Sequence, residues 1–199
     1  MRKIEKRSIF CLILAALLGL GLAFFCFQFV VDGGDWASYP YNRHLYNNSG
    51  QLKGGTILDR DGDMLSTLDE DGNRIYNDDA AVRRATLHAV GDKNGNIGAG
   101  ALTSFADKLS GYNLLTGVYS PLGTGNSLYL TIDAYLNNVA YQALNGMNGT
   151  VGVYNYKTGE ILCMVSTPTF DPANPPDIAA DDPAWDGVYV NRLLSANSI

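Results

Sequence analysis

The chain has 199 residues, of which 46% are hydrophobic and 17% charged, and a formal net charge of −6; that length allows one domain, or one domain with an anchor. Before Asp32 the basic residues Arg2, Lys3, Lys6 and Arg7 face one acid, Glu5, whereas from Asp32 onward ten basic residues oppose nineteen acidic ones, a net of −9. An acidic body excludes a nucleic-acid binder, which needs positive charge to meet phosphates. The aromatic content of 11% excludes a wholly disordered chain, and three cysteines are too few for a disulfide framework.

Ile9 to Val31 carries no charged side chain and one amide, Gln28. As a helix it is roughly 34 Å long, enough to cross a hydrocarbon layer of about 30 Å. A cleaved leader has a shorter apolar region and a small-residue cleavage site. Val30-Val31-Asp32-Gly33 offers no such site, and the bulky Ala23-Phe24-Phe25 before Cys26 is no lipidation signal. The run therefore reads as an uncleaved anchor. The basic flank keeps residues 1–8 in the cytoplasm, so the body from Asp32 lies outside the membrane. Cys11 and Cys26 fall near opposite ends of the span and cannot pair, which leaves Cys163 alone in the body. Gly19 and Ala23 form a small-xxx-small pair of the kind that lets helices approach, although filler in an apolar helix accounts for them as well.

Residues 32–48 are polar and aromatic without periodicity and read as a linker. Asn47-Asn48-Ser49 and Asn148-Gly149-Thr150 match the glycosylation sequon, a pattern short enough to arise by chance. Gly54 to Leu65 reads as a hairpin with a two-residue I′ turn at Asp61-Gly62. Glu70-Asp71-Gly72-Asn73 marks another turn. Asp78 or Asp79 caps a short helix through Leu87. Gly91 to Gly100 reads as loop, and Ala101 to Leu109 as a helix stopped by Gly111.

Ser127 to Ile132 alternates as a strand, and Asp133 then caps a helix. Leu136, Val139, Ala140, Ala143, Leu144 and Met147 form one apolar stripe on that helix. Thr150 to Tyr156 and Ile161 to Ser166 read as strands joined by a turn at Lys157-Thr158-Gly159-Glu160, with the helix packed on the sheet. Five prolines between Pro168 and Pro183 cannot join a sheet interior and imply an extended surface loop.

Few residues offer chemistry. Lys157-Thr158-Gly159 and Ser195-Ala196-Asn197 spell two motifs that accompany an S-x-x-K nucleophile in acyl-serine enzymes. No S-x-x-K occurs in the 199 residues, and K-T-G should come last in the order. Without a lysine one turn from the serine to take its proton, neither tripeptide is a catalytic element. His44 and His88 have no ligand partners at metal spacing. Asp59, Asp61 and Asp63 space like the start of a calcium loop with Glu70 in its twelfth place, but Met64 stands where that loop needs its turn glycine. A turn rich in Asp is the simpler account, and no phosphate-binding loop is present.

Taken in order, these segments resemble the N-terminal half of a class B penicillin-binding protein. Gly55-Thr56-Ile57-Leu58-Asp59-Arg60-Asp61-Gly62-Asp63-Met64-Leu65 is similar to the family's G-x-I-x-D-R-x-G-x-x-L segment after the anchor. His88-Ala89-Val90-Gly91 resembles H-x-x-G. Leu128-Tyr129-Leu130-Thr131-Ile132-Asp133, followed by Leu136, Ala140 and Leu144, resembles the strand and helix that open the transpeptidase domain. Thr158 to Ser166 resembles T-G-E-I-L-A-M-V-S, Pro168-Thr169-Phe170-Asp171-Pro172 resembles P-S-F-D-P-N, and Asn191-Arg192 resembles the N-R pair shortly before the nucleophile.

The resemblance implies an α+β fold. Residues 1–8 are a cytoplasmic tail, 9–31 a single transmembrane helix, 32–126 a linker and small mostly-β/α stalk, and 127–199 the incomplete opening strand–helix–hairpin of a transpeptidase domain. It implies a serine D,D-transpeptidase that takes an acyl group from a peptidoglycan stem peptide, is acylated by β-lactams, and works beside other wall-synthesis or division membrane proteins. The positions of the family's catalytic residues lie beyond Ile199. No catalytic, cofactor-binding or metal-ligating residue is therefore assigned in this chain, no cofactor is expected, and the isolated chain is expected to be inactive. A non-catalytic, membrane-tethered interaction module of cell-wall synthesis is the alternative.

Overall fold

The computed structural model describes residues 2–37, 53–113, 115, 125–179 and 182–195. The expected linker, the first sequon, His44 and the end of Ser195-Ala196-Asn197 fall largely or wholly outside those residues.

The first element, α1 (Arg2–Ala37), is one helix of 36 residues, longer at both ends than the apolar run. A 31-residue part of it is apolar enough to cross a membrane, and none of the most apolar stretch is covered by the rest of the chain. Its end touches the body. Gly33 and Gly34 lie against Tyr112 and Asp107, where a Cβ on Gly33 would sit 2.5 Å from the Tyr112 hydroxyl.

Three short strands follow: β1 (Thr56–Leu58), β2 (Met64–Leu68) and β3 (Arg74–Tyr76). β1 and β2 pair antiparallel, as the hairpin expectation requires. The turn differs from that expectation. The Gly62 amide donates to the Asp59 carbonyl, so Arg60 and Asp61 occupy the centre and Gly62 follows at φ +93°. Asp61 has no positive φ, which excludes the I′ geometry. The second turn is similar: Asp69 takes the Asn73 amide at 2.7 Å, and Gly72 adopts φ +79°. β3 carries the buried Arg74, whose guanidinium donates to the carbonyls of Gly54 and Gly55, both at 2.7 Å. Gly55 has φ +80° and packs on Leu109, so a Cβ there would lie 2.5 Å from that side chain. Only glycine fits.

Next comes α2 (Ala80–Val90), where Asp79 is the N-cap and accepts the Ala81 amide at 2.8 Å. The expected helix 101–109 is broken at Phe105 into α3 (Ala101–Ser104) and α4 (Ala106–Leu109). Phe105 leaves helical geometry there, with φ −120° and ψ 28°.

β4 (Ser127–Tyr129) then pairs parallel with β1, completing a mixed sheet of order β3-β2-β1-β4. That sheet therefore crosses the 126/127 line. After it, Asp133 caps α5 (Ala134–Leu144) by accepting the Leu136 amide at 2.9 Å, as expected. β5 (Gly149–Tyr154) and β6 (Ile161–Thr167) form the expected hairpin, a separate two-stranded sheet. The α5 stripe is narrower than the sequence implies. Leu136, Ala140 and Leu144 pack on Cys163, Val165 and Val151, whereas Val139, Ala143 and Met147 are exposed. The proline-rich segment is not purely a surface loop, because Phe170 and Pro172 are buried and a 3-10 turn spans Pro183–Trp185. Prolines bar this segment from a ladder, not from a core.

The main core gathers Ile57, Leu65, Val90, Leu102, Leu109 and Ile132 between the mixed sheet and α2 to α4. A second cluster joins Leu87 and Ile97 to Phe170 and Val188, and so ties the chain end to α2.

Candidate functional site

Two buried polar junctions join early and late parts of the chain. The first is Asp59. Its Oδ1 accepts the amides of Asp61 and Asp63, each at 2.9 Å, and its Oδ2 accepts the Ala134 amide at 3.2 Å. One carboxylate thus closes the first hairpin and holds the start of α5, where the helix presents unpaired N–H groups. Asp61 and Asp63 are exposed, and they form no metal-holding group with Asp59.

The second junction surrounds α2. The Arg83 guanidinium grips Asp171 through two parallel hydrogen bonds, Nε to Oδ1 at 2.7 Å and an Nη to Oδ2 at 2.6 Å. The fork matches the carboxylate, and the pair is largely shielded from solvent. The hydrogen bond from Arg83 holds the Asp171 carboxyl below its ordinary range. His88, on the same helix, is fully buried with Nε2 2.8 Å from the Val188 carbonyl. Burial drives its pKa below 6.5 and keeps the ring neutral, so Nε2–H is the donor. The Asn191 amide donates to the His88 carbonyl at 3.1 Å and contacts Met164 Sδ at 3.3 Å. Arg192 donates from Nε to the Thr167 carbonyl at 3.0 Å, and its amide to Ser166 Oγ at 3.1 Å. The Asn191-Arg192 pair is therefore pinned between α2 and β6.

Arg83 was not legible as a partner of Asp171, which is 88 positions away. Its only local hint is Arg83-Arg84, an arginine pair in a helix that contains no acid. His88 is a satisfied core histidine. Lys157-Thr158-Gly159 is an exposed β5–β6 turn, closed by Asn155 donating to the Glu160 carbonyl at 2.8 Å. The Cys163 thiol is buried and its pKa is pushed up by that burial. Among the described residues no three His, Cys, Asp or Glu side chains group closely enough to hold a metal.

No family model matches the chain. Among curated proteins, the peptidoglycan D,D-transpeptidase MrdA of Acinetobacter baumannii is 48% identical over 48 residues, covering 24% of this chain and 7% of that protein. MrdA of Haemophilus influenzae is 41% identical over 51 residues, covering 26% of this chain and 8% of that protein. Similar solved structures include Pseudomonas aeruginosa PBP2 in complex with WCK 5153. That chain is 24% identical, with 61% of this chain and 28% of that one covered and a TM-score of 0.47. The D,D-transpeptidase domain of a peptidoglycan glycosyltransferase from Eggerthella lenta is 28% identical, with 71% and 32% covered and a TM-score of 0.49.

Over about a quarter of its length the chain is thus similar to peptidoglycan D,D-transpeptidases. The relatives it matches by sequence are MrdA transpeptidases, and the match spans less than a tenth of their length.

Proposed function

We propose that this chain supplies the membrane anchor, the stalk and the opening section of the catalytic domain of a transpeptidase that cross-links peptidoglycan. The carrying observation is the 48% identity over 48 residues with a peptidoglycan D,D-transpeptidase. Residues 1–8 lie in the cytoplasm and 9–31 cross the bilayer. Residues 32–126 form the linker and stalk outside it, and 127–199 open the transpeptidase domain. The basic residues before the apolar run support that orientation.

In the whole enzyme a serine further along the chain attacks the D-Ala-D-Ala carbonyl of a stem peptide, forming a serine ester and releasing D-Ala. An amine from a neighbouring strand then displaces the serine. β-Lactams acylate the same serine. The part of this chain's own residues is positional: α2, through Arg83 and the His88 carbonyl, holds Asp171 and Asn191 and so fixes the direction in which the chain leaves β6.

Labelling with a fluorescent penicillin tests the reading. The purified 199-residue chain stays unlabelled, because it contains no S-x-x-K. The same chain extended through the downstream reading frame becomes covalently labelled. Labelling of the 199-residue chain, or an extension carrying no S-x-x-K and taking no label, overturns it.

A further inference from the structure

Residues 185–192 are tied to α2 through one side chain that can change its charge. His88 is buried, and its Nε2–H donates to the Val188 carbonyl at 2.8 Å. The carbonyl of the same residue accepts the Asn191 side-chain amide at 3.1 Å. One α2 residue therefore holds the segment at two points, three positions apart. On the other side Ser166 Oγ donates to the Val190 carbonyl at 3.3 Å and accepts the Arg192 amide at 3.1 Å. Val188 completes an apolar cluster with Leu87, Ile97 and Phe170, against which Trp185 packs.

Nothing around the ring balances a second proton. The elements packed on α2, namely α5, β6, β2 and α3, carry no carboxylate. Their titratable groups, Cys163 on β6 and Tyr135 and Tyr141 on α5, are neutral in acid. Asp92, four residues along the chain, spends Oδ1 on the Ile97 amide and Oδ2 on the Asn94 amide and the Asn96 side chain. Asp171 is gripped by Arg83. Arg84 and Lys93, neighbours in sequence, are themselves positive. Asp182, Asp186 and Tyr189 stand on the segment, and the charge that acts on the ring from there is the positive one of Arg192. A protonated His88 is thus a buried cation beside another cation, which is costly. Swinging residues 185–192 away removes Arg192 and lets water reach the ring. A terminal stretch can open in this way at less cost than the core.

We propose that His88 is an acid-sensitive latch, whose protonation releases residues 185–192 from α2 and β6 while the mixed sheet stays folded.

The free ring titrates at 6.5 and the buried ring below it, so the latch is at full strength above pH 6.5. Below that, opening takes up one proton, and its equilibrium grows by up to about tenfold per pH unit until the buried ring itself titrates. Carboxylates enter only near about pH 4, and Asp171 titrates lower than its ordinary 3.8. The range between belongs to His88.

Hydrogen exchange read by mass spectrometry on the full chain in detergent measures the opening. Corrected for the intrinsic rate, exchange in 185–192 is expected to grow by up to about tenfold per pH unit in mild acid, while β1 and β2 stay protected. His88→Gln keeps a side-chain N–H for the Val188 carbonyl and is expected to abolish that growth. If the variant does not fold, the contrast between segment and sheet in the unsubstituted chain still decides. Exchange in the segment that ignores pH, exchange that rises equally in the sheet, or an undiminished pH response in a folded His88→Gln chain each overturns the proposal. The latch stands apart from the transpeptidase reading, which penicillin labelling tests, and either can fail alone.

Discussion

The mixed sheet and the β5–β6 hairpin are both built from short strands, yet they are stabilised differently. The mixed sheet is sealed on its inner face: Ile57 and Leu109 are fully buried, and Arg74 donates to two glycine carbonyls, while Tyr129 and Ile75 stay exposed. The hairpin is sealed along β6, by α5 on one face and by α2 and the main core on the other, but is open along β5. Between α5 and β6, Ala140, Cys163 and Val165 are buried, while Met147 and Tyr154 remain 61% and 69% exposed. One region centres on a single core, whereas the other divides its apolar contacts between that core and α5 and adds polar ties to α2. Buried apolar contact is the main source of stability, so the two regions should respond to different kinds of substitution.

Four substitutions separate them. The largest effect belongs to Leu65→Ala in the sealed sheet, expected to cost about 3 kcal/mol from lost burial and the remaining cavity. Urea unfolding in detergent measures it, and a loss near that of a surface change would show the sheet to be loosely packed. Asp171→Ala strands Arg83 beside α2 and should cost about 2 kcal/mol, below the fully buried case because the pair keeps some solvent contact. Its signature is protease cleavage between residues 168 and 195 ahead of cleavage in the sheet.

Removing the N-cap with Asp79→Ala should cost about 1 kcal/mol, read as lower helix content on heating. His88 gives the smallest effect and a dependence on pH. Its folded pKa lies below 6.5, so the unfolded chain binds the proton more readily. The stability His88 contributes is full above pH 6.5 and is lost as pH falls below it. Melting temperatures for His88→Gln should therefore fall less steeply between neutral and mildly acidic pH than those of the parent chain. Parallel curves would remove His88 from that junction's pH response.

The sequence made the hairpin region more legible than the sealed sheet, the inverse of their burial. Asp133, the Leu136–Ala140–Leu144 spacing and the Lys157–Glu160 turn between two apolar runs are local signals, and each led to its element. β3 has three residues, too few to display a period. The parallel pairing of β4 with β1 joins residues about 70 positions apart, and nothing in either segment encodes its register. The break at Phe105 lies inside a run with helical spacing, and nothing in that spacing marks it. Burial of Phe170 and Pro172 was hidden because prolines report what the backbone cannot pair with, not where a side chain goes. The clamp was half visible: Asp171 and Asn191 stand in segments that resemble family motifs, whereas Arg83 could be matched to Asp171 only in three dimensions.

The glycine step at the end of α1 sets a standing height. Six helical residues after Val31 extend about 9 Å beyond the apolar run. Within them Gly33 and Gly34 bring Tyr112 and Asp107 against the helix itself. The body is thus seated against the helix itself as well as joined to it by the connecting chain. A bulky residue at Gly33 would push Tyr112 off the helix and loosen that seat.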